Sequence, residues 1–148
     1  MHFLASEGQG DLDAGASLAD LTQTDIGRLT KGRVRGQFWS VYVPSALPED
    51  EAFVLTVRQV LRAYKMISSN AGRLALVRTA DECLAAREAN LIASLLGAEG
   101  GHCIASSLEA LRALHRLGVA YMTLTHNDST AWADSATGVG RAGGLSGH

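Results

Sequence analysis

The strongest constraint on the fold is an alternation of short apolar runs with single amphipathic segments that begin on helix-starting residues. The apolar runs predict four strands, at residues 37–43, 74–77, 91–96 and 121–125. Strands that alternate with single helices across short connections predict right-handed βαβ units and a parallel sheet. The sequence therefore predicts an α/β fold of about four parallel strands, either a doubly wound sheet or an arc of a β/α barrel.

Each predicted helix has its own start signal. Pro48 precedes three acidic residues, whose charge suits the exposed amides of a first helical turn. Thr79 and Glu82, like Ser106 and Glu109, have the separation of three that forms a capping box. Helical spacing predicts the packing faces, which are Phe53, Val57, Val60, Leu61, Tyr64 and Ile67 in the first helix and Leu108, Leu111, Leu114 and Leu117 in the last.

Length and charge limit the class of protein. The 148 residues suffice for one compact domain but fall short of the roughly 250 of a complete eight-fold β/α barrel. Thirteen basic and fifteen acidic residues give a net charge of −2. Basic residues run together only at Lys31, Arg33 and Arg35, which argues against nucleic-acid binding as the main function.

Two features indicate where a chain of this sequence would work. No signal peptide is visible at its start, and no apolar stretch approaches the roughly 18 residues of a membrane span. Cys83 and Cys103 fit reduced, buried thiols better than a disulfide framework. We therefore expect a cytoplasmic location for the chain as written.

Composition divides the chain into three parts. Residues 1–20 are rich in Gly, Ser, Ala and Asp without a clear period and predict an irregular lead-in. Residues 21–135 carry the β/α alternation and predict a partial β/α-barrel domain. Residues 136–148 are rich in glycine, lack an apolar face and predict a flexible tail.

Polar residues follow the third and fourth predicted strands. Glu99 lies in the turn 97–102, and His126 comes directly after the fourth strand. In parallel β/α folds the reactive groups gather at the carboxyl ends of strands, and a carboxylate with an imidazole suits a hydrolytic metal site. A purely structural hydrogen bond between the two explains the same pattern equally well.

Four segments, at residues 37–44, 98–102, 117–127 and 132–135, closely resemble the renal (membrane) dipeptidase family of zinc metallopeptidases, peptidase family M19. The resemblance spans roughly residues 18–145. It implies a TIM-like β/α barrel of the metal-dependent hydrolase type, with two zinc ions, that hydrolyses dipeptides. It further implies that Glu99 bridges the two zinc ions and that His126 contacts the substrate and helps to stabilise the tetrahedral intermediate.

The sequence departs from that family in its metal ligands. The family's first strand ends in a His-x-Asp pair, whereas the early histidine here is His2, and Leu4 stands two positions beyond it. The family's two further metal-binding histidines, and the arginine and aspartate that engage substrate, have no counterpart among the matched segments. Because a zinc ion normally needs three or more protein ligands, we expect this chain to be a portion of a dipeptidase that is inactive alone.

The remaining polar residues near the motifs have simpler interpretations. We predict that His102 fixes the loop beneath the site and that Cys103 is a packed thiol, since no base is placed beside it. Asp128 and Asp134 are interpreted as solvated loop acids rather than as further metal ligands.

One alternative interpretation of the sequence stays open, and another is disfavoured. The chain could be a non-catalytic β/α fragment or relic that self-associates, or complements a partner fragment, through open sheet edges. A sugar- or phosphate-binding barrel piece is disfavoured, because no glycine-rich phosphate loop follows a strand and opens a helix.

Overall fold

The computed structural model describes residues 22–140 and 142–147, so the lead-in predicted for residues 1–20 lies outside the described residues. The alternation of strands and helices is confirmed. One short helix, α1, precedes the predicted elements, and a 3-10 turn at Gly101–Ile104 follows the third strand. The elements in chain order are α1 Ile26–Lys31, β1 Gly36–Val41, α2 Glu49–Ser69, β2 Leu74–Leu76, α3 Ala80–Glu88, β3 Ile92–Ala98, α4 Leu108–Arg116 and β4 Val119–Met122.

The four strands form one open parallel sheet in which β3 is the central strand. The order is β1-β3-β2, and β4 also pairs with β3. The β2 register places Leu74 opposite Ile92 in parallel orientation. Seven residues long and almost entirely buried, β3 reaches two residues beyond its predicted end. The predicted α/β class with about four parallel strands is therefore confirmed.

The described residues form two compact units, which share β1, α2 and β3. The first unit contains residues 22–40 and 61–96, and the second contains residues 41–60 together with 97–140 and 142–147. In the first unit α3 packs on the sheet through buried Val77, Ala86 and Ala93. In the second unit Leu114 of α4 and Val119 of β4 are buried, as expected for a helix and strand joined by a tight turn.

The predicted capping box at the start of α3 is confirmed. The Thr79 hydroxyl accepts from the Glu82 N–H at 3.2 Å, and the Glu82 carboxylate accepts from the Thr79 N–H at 3.1 Å. The backbone N–H of Arg78 also donates to this carboxylate, and it is the largest of the contacts that hold the pKa of Glu82 below its usual value. The reciprocal bonds fix where α3 begins.

The second predicted capping box is wrong by one residue. Ser107, not Ser106, is the N-cap of α4, and its hydroxyl accepts from the Ala110 N–H at 3.2 Å. Ser106 has a left-handed φ of 51° and donates its hydroxyl to Glu49 at 3.1 Å instead. With two adjacent serines, composition alone does not decide which of them caps the helix.

The predicted packing faces are also partly wrong. Leu61 of α2 is 55% exposed and Leu108 of α4 is 60% exposed. In α2 the buried line includes Ala52, Thr56 and Ala63, which are small residues that allow a helix to approach its neighbours closely. A packing face predicted from the large apolar residues alone is therefore rotated about the helix axis relative to the face that is buried in the structure.

The last strand and the end of the chain differ in detail from the prediction. β4 begins two residues earlier than the predicted 121–125. Within the glycine-rich segment, Leu145 forms an antiparallel bridge with Ala133, and Ser146 N–H donates to the Trp132 carbonyl at 2.9 Å. The flexibility of residues 136–148 stays a prediction. Among the helices of the described residues, none has the length and apolarity that a membrane crossing requires.

The burial of β3 predicts a position that is sensitive to truncation. Leu96 is completely buried, so Leu96→Ala removes packed methyl groups and is expected to lower the free energy of unfolding by about 2–5 kcal/mol. Leu84→Ala is the matched control, because Leu84 is exposed on α3 and its loss should change stability by less than about 0.5 kcal/mol. Urea denaturation of both variants measures the difference, and equal effects would contradict the assigned core.

Candidate active site

Val41, the last residue of β1, and the two residues that follow it contact the polar residues of the site. The Val41 carbonyl accepts from the Glu99 N–H at 3.0 Å. The Val43 carbonyl lies 2.9 Å from Nε2 of His102, which must carry a proton because a carbonyl oxygen only accepts. Between them, the Tyr42 ring lies with its centroid 5.0 Å from that of His126. The Val41–Val43 segment thus contacts three of the polar residues that the sequence motifs contain.

The structure brings Glu99 and His126 together, as their positions after neighbouring strands predict. Oε1 of Glu99 lies 3.6 Å from Nδ1 of His126, a separation longer than a hydrogen bond. The two side chains are 27% and 32% exposed respectively, so both reach solvent while most of each is covered. A carboxylate and an imidazole are therefore available to a ligand at the carboxyl ends of β3 and β4.

Two glycines allow the loop after β3 to pack against the loop after β4. Gly100 has a φ of 105°, and a Cβ there would lie 2.5 Å from the His102 ring. A Cβ on Gly101 would lie 2.4 Å from the Leu124 carbonyl oxygen and 2.6 Å from the Trp132 ring. A side chain at Gly101 would push the two loops apart, and one at Gly100 would displace the His102 ring. The sequence requires glycine here because backbone, not side chain, fills the space.

The backbone of His126 is tied to the chain that follows it. The Ser135 hydroxyl lies 2.9 Å from the His126 carbonyl and 2.8 Å from that of Asn127. The Thr137 hydroxyl donates to the Asn127 carbonyl at 3.0 Å. Sequence reasoning did not single out Ser135, although it lies in one of the four family-like segments, because hydroxyl-to-backbone contacts across a loop leave no periodic signal.

The other polar residues have structural partners. His102 is buried and bonded to the Val43 carbonyl, which agrees with its interpretation as a loop-fixing residue. Asp134 accepts from the N–H groups of Ala142 and Gly144 at 2.9 and 2.8 Å. Asp128 accepts from the Ser45 hydroxyl. Both loop carboxylates therefore accept hydrogen bonds, Asp134 from the backbone and Asp128 from a neighbouring side chain.

The donor set does not by itself complete a zinc site. Among residues 22–140 and 142–147, no three His, Cys, Asp or Glu side chains are grouped so that they could hold a metal ion. A protein zinc site uses three or four such ligands. Glu99 fits the part of one ligand, and further ligands are needed for any metal to be held here.

Comparison with known proteins identifies the family. The chain matches the membrane dipeptidase family, peptidase family M19, over residues 4–147, and it therefore belongs to that family of metallopeptidases. It is 44% identical to Dipeptidase ataJ of Aspergillus terreus over 131 residues, which cover 82% of this chain and 32% of ataJ. It is 41% identical to Dipeptidase 3 of Mus musculus over 115 residues, which cover 78% of this chain and 22% of that protein. The chain thus spans about a third or less of these curated relatives.

Solved structures show the same fold. The probable dipeptidase PvdM from Pseudomonas aeruginosa matches with a TM-score of 0.76 at 17% identity, over 84% of this chain and 35% of PvdM. A metallopeptidase from Rhodobacter sphaeroides, liganded with a phosphinate mimic of the dipeptide L-Ala-D-Ala, matches with a TM-score of 0.68 at 21% identity, over 75% of this chain and 38% of that one. The predicted partial TIM-like barrel is confirmed as a match to part of the M19 dipeptidase fold.

The close approach at Gly101 predicts a specific cost of adding one methyl group. Gly101→Ala should lower the free energy of unfolding by about 1–3 kcal/mol, because the new Cβ overlaps a backbone carbonyl and a tryptophan ring. Gly72→Ala is the control, since a Cβ at Gly72 meets nothing within 4 Å. Thermal unfolding of both variants measures the effect. A Gly101→Ala chain as stable as Gly72→Ala would refute the packing of the two loops.

The environment of Cys103 predicts that its thiol is inert. Burial raises the pKa of Cys103 to about 12, so almost no reactive thiolate exists at pH 8. We expect iodoacetamide to modify the partly exposed Cys83 in the native chain and to spare Cys103 until denaturant is added. Mass spectrometry of tryptic peptides distinguishes the two sites. Equal labelling of both in the native chain would revive Cys103 as a candidate nucleophile.

Proposed function

We propose that this chain is part of a dipeptide-hydrolysing enzyme with two zinc ions, in which Glu99 bridges the metals and His126 contacts the substrate. The observation that carries the proposal is the meeting of Glu99 and His126, 3.6 Å apart, at the ends of paired strands. Membership of the M19 family supports the metal chemistry. The name of the relative ataJ, a dipeptidase, and the dipeptide mimic in the Rhodobacter sphaeroides structure support the substrate class.

Glu99 suits a bridging role for chemical reasons. Each of its two carboxylate oxygens can bind one ion, and its backbone is fixed by the bond from its N–H to the Val41 carbonyl. A fixed backbone sets the point from which the side chain extends and so limits the region that the carboxylate can reach. The remaining ligands belong, in this proposal, to parts of the enzyme outside the described residues. A lone bridging carboxylate cannot hold two ions, so the chain by itself is expected to be inactive.

His126 suits contact with a dipeptide at the same site. Its ring is partly exposed beside the carboxylate, while its carbonyl is held by Ser135. An imidazole N–H directed at a developing oxyanion contributes about 3 kcal/mol of transition-state stabilisation in comparable sites. In this proposal His126 supplies an N–H donor to the substrate and leaves the carboxylate of Glu99 to the ions.

A second candidate is a non-catalytic fragment that associates through its sheet edge. Within the described part of the chain β3 is the one strand paired with β4, whose four residues, Val-Ala-Tyr-Met, carry neither charge nor proline. Edge strands without such residues are prone to pair with another chain. A homo-oligomer formed through this edge would show as a concentration-dependent mass in sedimentation, and it requires no zinc.

The decisive experiment measures zinc content and dipeptide hydrolysis in two proteins. One is this chain, and the other is a version extended on both sides by the polypeptide that the parent gene encodes. We expect the extended protein to bind about two zinc ions and cleave dipeptides, whereas the short chain does neither. In the extended protein, Glu99→Gln should abolish hydrolysis and reduce the zinc content.

The matched control is Asp128→Asn, which removes a nearby loop carboxylate that contacts Ser45 and is given no metal role. It should retain zinc and activity. The proposal fails if the short chain binds zinc and turns over alone, or if Glu99→Gln in the extended protein keeps both properties. An extended protein without hydrolysis, combined with a short chain that self-associates, would favour the second candidate.

A further inference from the structure

Tyr42 has no role in the family-like motifs as interpreted above, yet it lies at the centre of the site. Its neighbours Val41 and Val43 are 1% and 3% exposed, whereas Tyr42 is only partly buried. Its ring meets His126 at a centroid distance of 5.0 Å and an interplanar angle of 63°. It meets His102 at 6.4 Å and 75°. Tyr42 thus contacts both the buried histidine and the accessible one.

Both contacts have the edge-to-face geometry that aromatic rings prefer at centroid separations of roughly 4.5–7 Å. The His102 ring is immobile because it is buried and bonded to the Val43 carbonyl. A Cβ on Gly100 would lie 2.5 Å from the His102 ring and 3.4 Å from Cβ of His126, so no side chain separates the two histidines at that point. Tyr42 therefore contacts both the buried His102 ring and the ring of His126.

The carboxylate does not fix the His126 ring. Its Nδ1 lies 3.6 Å from Oε1 of Glu99, beyond hydrogen-bond distance. Ser135 holds the His126 backbone through the carbonyl, a contact that does not act on the imidazole ring itself. The edge-to-face contact with Tyr42 acts on the ring itself and can therefore select one orientation of the imidazole.

We propose that Tyr42 is a positioning residue, whose aromatic ring holds the His126 imidazole in one rotamer facing Glu99. Its importance for hydrolysis rests on the proposed function, in which His126 contacts the dipeptide. The aromatic ring of Tyr42, and not its hydroxyl, restrains the imidazole in this proposal, because the contact is between the edge of one ring and the face of the other. Phenylalanine should therefore replace tyrosine, and an aliphatic residue of similar bulk should not.

The test is NMR of the histidine rings in the full chain, with His126 assigned from the signals lost in His126→Gln. In the unsubstituted chain we expect nuclear Overhauser contacts between the Tyr42 and His126 rings and Hα–Hβ couplings of a single His126 rotamer. Tyr42→Phe should retain the rotamer couplings and a ring-current shift at His126. Tyr42→Leu should lose that shift and show averaged couplings. Tyr64→Leu, which removes a tyrosine bonded to Arg78, should leave His126 unchanged.

Several outcomes would overturn the proposal. They are unchanged His126 couplings and shifts in Tyr42→Leu, averaged couplings in Tyr42→Phe, and the absence of ring-to-ring contacts in the unsubstituted chain. The last measurement needs no substitution, so it decides even if Tyr42→Leu does not fold. None of these readouts requires zinc or turnover, so a failure of the proposed hydrolysis is distinguishable from a failure of this inference.

Discussion

The site depends on the parallel pairing of β1 with β3. The bond from the Glu99 N–H to the Val41 carbonyl continues that ladder past the end of β3 and carries it into the loop. Two residues after the end of β1, the Val43 carbonyl accepts a hydrogen bond from the buried His102. The short backbone segment Val41–Val43 thus positions both Glu99, which carries the carboxylate, and His102, which is buried beneath the loop. Because backbone carbonyls make these contacts, the side chains of the segment are available for packing. The Tyr42 side chain packs against His126.

Much of the fold could be predicted because local chemistry and global architecture agree. The Thr79–Glu82 capping box and the buried run of β3 are signals that involve residues close in sequence, and both appear as expected. The errors arise where several residues compete for one role. Ser106 and Ser107 are chemically equivalent caps, and only the turn geometry selects the second. The predicted helix face was wrong where it relied on large apolar residues such as Leu61. The side of the helix on which a residue lies, and not its size, decides whether it is buried.

The site was predictable only in part. Glu99 and His126 could be placed together because strand ends of a parallel sheet converge, and that rule requires no knowledge of loops. Tyr42 and Ser135 could not be assigned partners, since their contacts join residues 84 and 9 positions apart through loop conformations that no spacing rule encodes. The family resemblance supplied the chemistry, while the structure supplied the contacts that orient it.

Gly101 has a consequence for how this scaffold can be altered. Bare backbone at that position touches both the Leu124 carbonyl and the Trp132 ring, with no flexible side chain between them to absorb a displacement. The loops after β3 and β4 are consequently packed directly against each other, and replacing one loop alone would disrupt that contact. A graft of the Glu99 loop into another β/α scaffold must bring the His126 loop with it. Lengthening either loop to reshape a binding surface would strain the contact at Gly101 and so disturb the spacing between the carboxylate and the imidazole.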